Sequence, residues 1–283
     1  MNRHGRELYI ALQRLLPQHA LSRLLGKVAD ARTPWLKNLL IRRAIAHYGI
    51  DLEEAEVQAI EQYPSFNSFF TRALKESARP IEGGKDDIIS PADGTLSQIG
   101  HIRDGEIYQA KGSWFSTRRL LGCDPETARR FDGGSFATVY LAPRDYHRVH
   151  MPVSGKLVAS HYIPGRLFSV NTTTVSQVPR LFARNERLVC FFESEERLVS
   201  VVLVGAIFVA GIETRWRPHY PPGKLLEEYF DTPRAFGRGE ELGRFRFGST
   251  VIVAMEEGAQ WLPEHRAGER IKMGELLGRR KNG

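Results

Sequence analysis

The sequence is poor in cysteine and, over its first 50 residues, in acidic side chains. Its two cysteines, Cys123 and Cys190, stand outside any Cys/His spacing typical of zinc ligands, so neither a disulfide framework nor a metal site is expected. The N-terminus has no unbroken apolar stretch ahead of a small-residue cleavage site, so no signal peptide is predicted. These absences favour a protein of a reducing compartment.

A run long enough to span a membrane as a helix is also lacking. The stretch from Leu198 to Ile212 is uncharged and apolar, but its 15 residues fall short of the roughly 20 that a spanning helix needs. It is rich in valine and interrupted by Gly205 and Gly211. We therefore expect one or two buried strands here.

The bulk composition is that of a globular protein with a sizeable core. The chain has 283 residues, of which 42% are hydrophobic and 26% are charged, so wholesale disorder is excluded. Its formal net charge is +7. A basic balance suits an acidic partner, such as nucleic acid, an anionic membrane surface or an anionic substrate, and charge alone does not choose among them.

The first 50 residues carry three apolar stripes at helical spacing, punctuated by basic side chains. Glu7 and Asp30 are the only acids among them. Basic amphipathic helices of this kind suit the headgroup region of an anionic membrane. The alternative is that they simply pack on the rest of the protein. The stripes are Leu8, Leu12, Leu15 and Leu16; Leu21, Leu24, Leu25 and Val28; and Trp35, Leu36, Leu39, Leu40 and Ile45.

Two further helices are predicted before residue 80. Asp51 and Glu54 have the spacing of a capping box, which predicts a fourth helix through Gln62. A fifth is expected within Pro64–Leu74.

After Pro80 the chain changes to glycine, proline and β-branched residues. Alternating runs such as Phe136–Leu141 and Leu157–Ile163 predict strands. The expected fold class is therefore α+β, with a helical, membrane-docking region at 1–80 and a β-rich catalytic domain at 81–283.

A short sequence pattern that occurs twice indicates duplication within the β-rich part. The segment from Pro91 to Leu96 and the segment from Pro152 to Leu157 both place a glycine three residues after a proline and ahead of a strand. Two such turns are consistent with a duplicated barrel-like or hammerhead unit, although short turns also recur by chance.

Three segments hold residues that can carry chemistry: Ser90–Thr95, Tyr140–Pro152 and Arg246–Val251. In the last of them Gly248 precedes Ser249. Glycine has no Cβ, so its carbonyl can adopt a strained geometry within reach of the serine hydroxyl. Attack of Ser249 on its own preceding peptide bond, followed by elimination and hydrolysis, would cut the chain and leave an N-terminal pyruvoyl group. Gly-Ser-Thr alone is too common to establish this.

A serine hydroxyl needs a base to act as a nucleophile. His147 and His150 are bracketed by prolines, which excludes a long helix presenting both to a metal, and one of them could activate Ser249. Asp93, in a predicted turn, could bond its own backbone or orient a histidine. The chain order Asp…His…Ser is one in which catalytic triads recur, but spacing does not show that the three meet.

Together these segments resemble the bacterial-type phosphatidylserine decarboxylase family. Gly165–Asn171 and Leu181–Arg187 add to the likeness, which covers nearly the whole chain. The family has Leu-Gly-Ser-Thr at its cut site, whereas this sequence has Phe247 in place of the leucine. The glycine and serine that the chemistry uses are unchanged.

The resemblance implies roles for four residues. Asp93, His150 and Ser249 match the self-cleavage triad, with the cut between Gly248 and Ser249, and Ser249 becomes the pyruvoyl cofactor. His147 matches the histidine implicated in decarboxylation, as a proton donor. The implied reaction converts phosphatidylserine to phosphatidylethanolamine and CO2 through a Schiff base with the pyruvoyl group.

The resemblance also implies partners and a location. A β chain of residues 1–248 would pair with an α chain of residues 249–283, and a higher homo-oligomer stays open. The enzyme would bind phosphatidylserine in an anionic membrane, peripherally at the cytoplasmic face of the cell membrane, and no nucleic acid.

Three other functions are consistent with parts of the sequence. Lys272, between Gly268 and Gly274, resembles the modified lysine turn of biotinyl and lipoyl carriers. A serine hydrolase could use the same triad on an external substrate, although no Gly-x-Ser-x-Gly elbow is present. A pyruvoyl decarboxylase for a soluble amino acid would not need the basic N-terminal helices.

Overall fold

A computed structural model describes residues 3–110, 112–207, 211–246 and 249–280, apart from the side chains of residues 3, 4, 6–8 and 14. Phe247 and Gly248 of the predicted cut site therefore lie outside the described residues, as do the side chains of Arg6, Leu8 and Arg14. The helices within the described ranges are α1 Arg3–Leu15, α2 Gln18–Ala29, α3 Pro34–Tyr48, α4 Phe66–Phe70, α5 Thr117–Leu121, α6 Pro125–Arg130, α7 Thr172–Val175 and α8 Leu181–Arg184.

The rest of the chain is dominated by strands, so the α+β class with a β-rich body is confirmed. The strands are β1 Asp87–Ile89, β2 Gly94–His101, β3 Glu106–Ala110, β4 Ser113–Ser116, β5 Ser135–Leu141, β6 Arg148–His150, β7 Gly155–Ile163, β8 Arg187–Ser194, β9 Arg197–Val204, β10 Ile212–Thr214, β11 Leu226–Phe236, β12 Glu241–Phe245, β13 Ser249–Met255, β14 Ala259–Trp261, β15 Arg270–Ile271 and β16 Leu276–Arg280. The predicted strands at 136–141 and 157–163 correspond to β5 and β7.

An antiparallel sheet in the order β11-β7-β8-β9-β13-β5-β2-β15 organises the body. Smaller sheets, β1-β16-β14 and β10-β12-β6, accompany it, and β3 pairs with β4. Strand β13 lies in the middle of the large sheet, paired with β5 on one side and β9 on the other. The residue that begins β13 is Ser249.

The central strands are buried on both faces. In β13, Val251 and Val253 enter one hydrophobic core, whereas Ile252 and Ala254 enter another on the opposite face. Because side chains alternate across a strand, a strand covered on both faces needs apolar residues at every position. This explains the apolar stretch from Leu198, whose first part forms β9 and whose last residue begins β10; residues 208–210 lie outside the described part. The prediction of buried strands is confirmed.

No helix in the described ranges is both long and apolar enough to cross a membrane.

The first three predicted helices are confirmed as α1, α2 and α3. Pro34 occupies the first turn of α3, where its missing N–H costs no hydrogen bond, and Gly49 ends the helix at φ +66°. Side chains from the first two helical segments tie them to the body. Gln18 Oε1 accepts from the backbone N–H of Leu167 at 2.9 Å, and Gln13 Oε1 accepts from Ser169 at 2.8 Å.

The predicted fourth helix is wrong. Residues 51–59 are irregular, with a turn at 53–54 and an isolated bridge from Ala55 to Leu74, and only Ile60–Gln62 makes a single 3₁₀ turn. Asp51 Oδ1 accepts from the backbone N–H of Glu53 at 2.8 Å, so it stabilises a turn. The carboxylate of Glu54 instead binds Arg79 and Lys272, and these distant partners outweigh the local capping signal.

The predicted fifth helix is real but shorter than expected. It covers Phe66–Phe70 and begins where Ser65 Oγ accepts from the N–H of Ser68. Its phenylalanines are buried in a small core with Ile41 of α3 and Tyr63. The proposed division at residue 80 stays a prediction.

The two segments that share the Pro-x-x-Gly pattern lead into β2 and β7. These strands belong to the same sheet, and four other strands lie between them. Both glycines stand where a neighbouring strand passes closely. A Cβ on Gly94 would lie 2.3 Å from Tyr140 O, and one on Gly155 would lie 3.1 Å from Glu193 O. Close packing against a neighbouring strand therefore explains the glycine in both segments. Duplication of a whole unit stays a prediction.

We predict that Gly94→Ala destabilises the fold, because the new Cβ would meet backbone of β5 and force the two strands apart. The expected loss is about 1–3 kcal/mol of unfolding free energy. Gly100→Ala is the matched control, since a Cβ there would lie 3.5 Å from Phe136 Cε1, in ordinary contact. Urea unfolding in a Ser249→Ala background, which keeps the chain whole, measures both. Equal losses for the two variants would contradict the packing account.

Candidate functional site

Three strand ends meet at one edge of the large sheet. Ser249, the first residue of β13, pairs with Leu141, the last residue of β5. On the other side of β5, strand β2 begins at Gly94, and its second residue, Thr95, pairs with Tyr140 of β5. The three sequence segments predicted to carry chemistry are therefore brought together by strand pairing.

Ser249 is fully buried, and its Oγ makes no hydrogen bond to any described residue. Its side chain lies on the same strand face as Val251, which faces the core that also holds Leu141 and Val149. A buried hydroxyl that has given up its hydrogen bonds to water without replacing them typically costs about 1–3 kcal/mol of folding free energy. Such a group is free of competing bonds and available for reaction.

His147 lies in the segment that follows β5. Its backbone carbonyl accepts from the N–H of Phe245 at 3.0 Å, which ties it to the chain entering the predicted cut site. The ring is fully buried and stacks on Phe70, with ring centroids 4.0 Å apart. The carbonyls of Ala142 and Pro143 lie nearby, but neither ring nitrogen has a hydrogen bond of good geometry within the described residues.

Burial lowers the pKa of His147 to about 3, with a smaller contribution from the positive charge of Arg72. His147 is therefore neutral at neutral pH in the uncut chain.

His150 lies in β6 and is held on three sides. Its backbone N–H donates to Pro91 O at 2.8 Å, which brings it beside the Asp93 turn. Its Nδ1 lies 2.9 Å from Gly239 O, and since a carbonyl only accepts, Nδ1 carries the proton. Nε2 then accepts from Tyr146 Oη at 3.1 Å. Burial lowers the pKa of His150, so this imidazole also favours the neutral form.

Asp93 contacts neither histidine through a hydrogen bond. Its carboxylate is held by the buried guanidinium of Arg79, with Nε to Oδ1 at 2.8 Å and Nη2 to Oδ2 at 2.5 Å. The backbone N–H of Met273 donates to the same Oδ1 at 2.8 Å. The charge of Asp93 still favours the protonated form of His150 and so acts to raise its pKa. The triad pattern predicts that Asp93 orients His150, but its hydrogen bonds are to the Gly239 carbonyl and the Tyr146 hydroxyl.

Sequence reasoning missed Arg79 and Arg72. Arg79 also binds Glu54 Oε2 at 2.8 Å, and both of its carboxylate partners raise its pKa against the opposing effect of burial. Arg72 lies close to His147 and lines a cleft of about 390 Å³ together with Arg148, Arg244 and Arg246. Nothing in the spacing of these arginines separates them from the other basic residues of the chain, so no sequence signal could have found them.

The carrier lysine suggested by the sequence, Lys272, lies in the exposed connection between β15 and β16. Its Nζ pairs with Glu54 Oε1 of the N-terminal region at 3.1 Å. Among the described residues, no three His, Cys, Asp or Glu side chains gather closely enough to hold a metal ion.

Comparison with known proteins matches almost the whole chain. A family model described as "Phosphatidylserine decarboxylase" matches residues 66–279, and a second, described as "PSD", matches residues 8–49.

Curated relatives carry the name phosphatidylserine decarboxylase proenzyme. One from Ectopseudomonas mendocina is 51% identical over 278 residues, which cover 96% of this chain and 97% of the relative. One from Alcanivorax borkumensis is 49% identical over 278 residues, 96% of each chain. One from Acinetobacter baylyi is 49% identical over 283 residues, which cover 99% of this chain and 98% of the relative. The match in sequence and its extent show that this chain belongs to the phosphatidylserine decarboxylase family of enzymes.

Proposed function

We propose that this protein decarboxylates phosphatidylserine to phosphatidylethanolamine and CO2, using a pyruvoyl group made from its own Ser249. The chain would cut itself between Gly248 and Ser249 into a β chain of residues 1–248 and an α chain of residues 249–283. The observation that carries the proposal is the buried, unpartnered Ser249 hydroxyl at the strand ends that also position Asp93, His147 and His150. The names of the relatives, which are proenzymes, support it.

Self-cleavage begins with attack of Ser249 Oγ on the carbonyl carbon of Gly248. The amide nitrogen of Ser249 leaves that carbon and takes a proton, so an ester replaces the amide. Loss of the Ser249 Cα proton then expels Gly248 as a carboxylate, which keeps the former serine oxygen, and leaves a carbon–carbon double bond at residue 249. Hydrolysis releases the residue 249 nitrogen as ammonia and leaves a ketone.

His150 is the proposed base for the first step. Gly239 fixes the proton on Nδ1, so Nε2 carries the lone pair, and its depressed pKa makes it neutral and ready to accept a proton at neutral pH. Asp93 would stabilise the resulting imidazolium through its charge alone, because Arg79 and Met273 occupy its oxygens. Tyr146 would have to release Nε2, to which it donates.

The residues present fit a pyruvoyl group at position 249. Since the Ser249 hydroxyl makes no hydrogen bond within the described residues, replacing it removes no hydrogen bond to any of them. Once formed, the group supplies a ketone that condenses with a primary amine and accepts the electron pair left when CO2 departs.

His147 is the proposed proton donor to the carbon that loses CO2. Its ring nitrogens are free of hydrogen bonds in the described part, and Phe70 fixes the plane of the ring. The substrate brings negative charges close to the ring, which oppose the effects of burial and Arg72 and favour its protonated form.

The two chains would stay together after the cut. All seven residues of β13 are buried, and the strand pairs along its length with β5 and β9, both from the β chain. Strand β16 of the α chain likewise pairs with β1. Cleavage at residue 248 therefore breaks one bond at the head of a strand and leaves the strand in its place.

The N-terminal helices support a membrane partner. Helix α2 buries Gln18, Ser22 and Gly26 against the rest of the protein, the reverse of an ordinary core-facing helix. Its apolar residues point outward, with Leu24 60% exposed, and in α3 Trp35 is 69% exposed. An outward apolar face on a basic region suits peripheral binding to an anionic bilayer, here at the cytoplasmic face, where the substrate lies.

The first prediction tests self-cleavage by intact mass. The wild type should give two pieces, the smaller of about 4 kDa from its 35 residues (283 − 248). Ser249→Ala should stay at 32.1 kDa, because no hydroxyl is present to attack Gly248. Thr250→Ala is the matched control, since Thr250 Oγ1 is equally buried and unpartnered but lies on the opposite face. A wild type that stays whole would refute the proposal.

A second prediction concerns pH. The unfolded chain binds a proton at His147 below its ordinary pKa of about 6.5, whereas the folded chain does so only near 3. Stability should therefore be retained above pH 6.5 and lost as the pH falls towards 3, by up to about 1.4 kcal/mol per pH unit from this residue.

The variant His147→Phe keeps the ring stack with Phe70 and removes the titration, so its unfolding free energy should fall less steeply with pH. Urea unfolding at several pH values in the Ser249→Ala background measures the two slopes, and parallel profiles would contradict the burial of a neutral His147.

A third prediction concerns the membrane. Replacing Leu24 and Trp35 together by glutamine should weaken binding to vesicles containing an anionic phospholipid by about tenfold or more, from the lost apolar burial. Trp114→Gln is the control, because Trp114 is 42% exposed in β4, outside the N-terminal helices. Co-sedimentation gives the bound fraction. Undiminished binding of the double variant would exclude this face as the docking surface and favour a soluble substrate.

A further inference from the structure

Arg72 is a buried cation with unused hydrogen-bond donors. Its residue surface is 5% exposed, and its guanidinium donates once, from Nη2 to Arg144 O at 3.3 Å. Nε and Nη1 are buried and have no hydrogen-bond partner among the described residues. Burial lowers the pKa of Arg72, which reflects the cost of holding its charge away from water.

Arg72 differs in this respect from the arginines around it. In the same cleft, Arg148 binds Glu241 at 2.8 Å, and Arg244 and Arg246 share Glu213 at 2.6–2.7 Å. Arg72 makes no ion pair with any described carboxylate within 4.0 Å.

A comparison with Arg187 shows that this is not the usual state of a buried arginine in this protein. Arg187 is equally buried and also lacks a carboxylate, but it donates to the carbonyls of Leu120, Asn185 and Arg119. A buried guanidinium keeps its charge, so its unused donors beside a cleft suit an anionic ligand.

The cleft adjoins an apolar groove, and one of its arginines lies near His147. Asn67 and Arg246 line both this cleft and a groove of about 380 Å³ whose other walls include Leu25, Val28 and Leu40. Arg72 lines the cleft close enough to His147 for its charge to act on that ring, and Phe70, two residues before Arg72, stacks on His147. The apolar groove is therefore next to the arginine cleft, and the cleft is next to His147 through Arg72.

We propose that Arg72 binds the phosphodiester of the glycerophospholipid headgroup and so sets the distance from the lipid to the reacting amine. This assignment rests on the proposed function. A glycerophospholipid has the same order of parts: acyl chains, then the phosphate, then the amine and carboxylate. An arginine presents several donors to two phosphate oxygens, and a charge-assisted hydrogen bond of this kind is stronger than a neutral one.

The substrate carboxylate is the less suitable partner for this arginine. It departs as neutral CO2, so a cation bound to it would stabilise the starting state more than the transition state and slow the reaction. The phosphodiester keeps its charge from substrate to product. Arg72 can therefore hold it throughout the reaction.

The test is a binding measurement on the processed enzyme with glycerophosphoethanolamine, a soluble probe that contains the phosphodiester and lacks the carboxylate. Arg72→Gln should weaken its affinity, measured by titration calorimetry, on the order of 10-fold to 100-fold. Arg72→Lys keeps the charge but loses the planar guanidinium, so its affinity for the probe should lie between those of the wild type and Arg72→Gln. Arg130→Gln, on α6 and paired with Glu256, is the control of equal charge change.

A second probe removes any dependence on folding of the variants. The methyl phosphotriester of the same compound is neutral at phosphorus, and the wild type should bind it about as weakly as Arg72→Gln binds the diester. Arg72→Gln should not distinguish diester from triester. If the wild type binds both equally, or if Arg72→Gln loses no more affinity than Arg130→Gln, the assignment is overturned.

The outcome is separable from that of the proposed function. Intact mass and CO2 release from phosphatidylserine by the wild type report on the proposed function, whichever residue holds the phosphate. Normal decarboxylation with unchanged probe affinity in Arg72→Gln would refute the Arg72 assignment alone.

Discussion

The buried pair of Arg79 and Asp93 joins three parts of the chain that are far apart in sequence. Arg79 ends the N-terminal region, Asp93 sits in the turn ahead of β2, and Met273, which donates to Asp93, belongs to the segment beyond the proposed cut. Removing Arg79 would leave the buried carboxylate of Asp93 with the N–H of Met273 but without its cation, and breaking a buried ion pair in this way typically costs about 3–5 kcal/mol. The pair therefore fixes where the negative charge of Asp93 lies, and with it one of the charges that act on His150.

Around this pair the architecture separates stability from reactivity. The central strands are mostly apolar on both faces, with a few buried hydroxyl residues such as Thr138 and Ser200. Polar side chains gather where the strands begin or end, at Ser249, Asp93 and the segment after β5. Strand ends are where ladder hydrogen bonds stop, so the backbone there is free to turn and side chains can project into a shared space. The reactive edge is thereby held on its sheet side by the pairing of β13 with β5 and β9.

Much of this arrangement can be predicted from sequence, for identifiable reasons. The helices α1, α2 and α3 follow from apolar spacing, and β5, β7 and β9 follow from runs of β-branched residues bounded by turns. The segment after Ile50 could not be predicted, because Glu54 binds Arg79 and Lys272 across the fold in place of capping a helix. The same limit hid Arg72 and Arg79: their roles depend on burial and on partners more than ten residues away, which no local pattern encodes. Residue chemistry makes Asp93, His147, His150 and Ser249 candidates, whereas their separate roles are predicted only through the resemblance to a family. Their hydrogen bonds, such as that of His150 to Gly239, came from the structure.

The central claim is that residue 249 becomes the carbonyl that does the chemistry, and labelling that carbonyl tests it most directly. The purified protein would be unfolded, treated with a hydrazide probe and digested, and the labelled peptide identified by mass spectrometry. The account predicts one label, at the N-terminal residue of the fragment that begins at position 249, and none in Ser249→Ala. A chain that carries no carbonyl, or a label at any other residue, would contradict it.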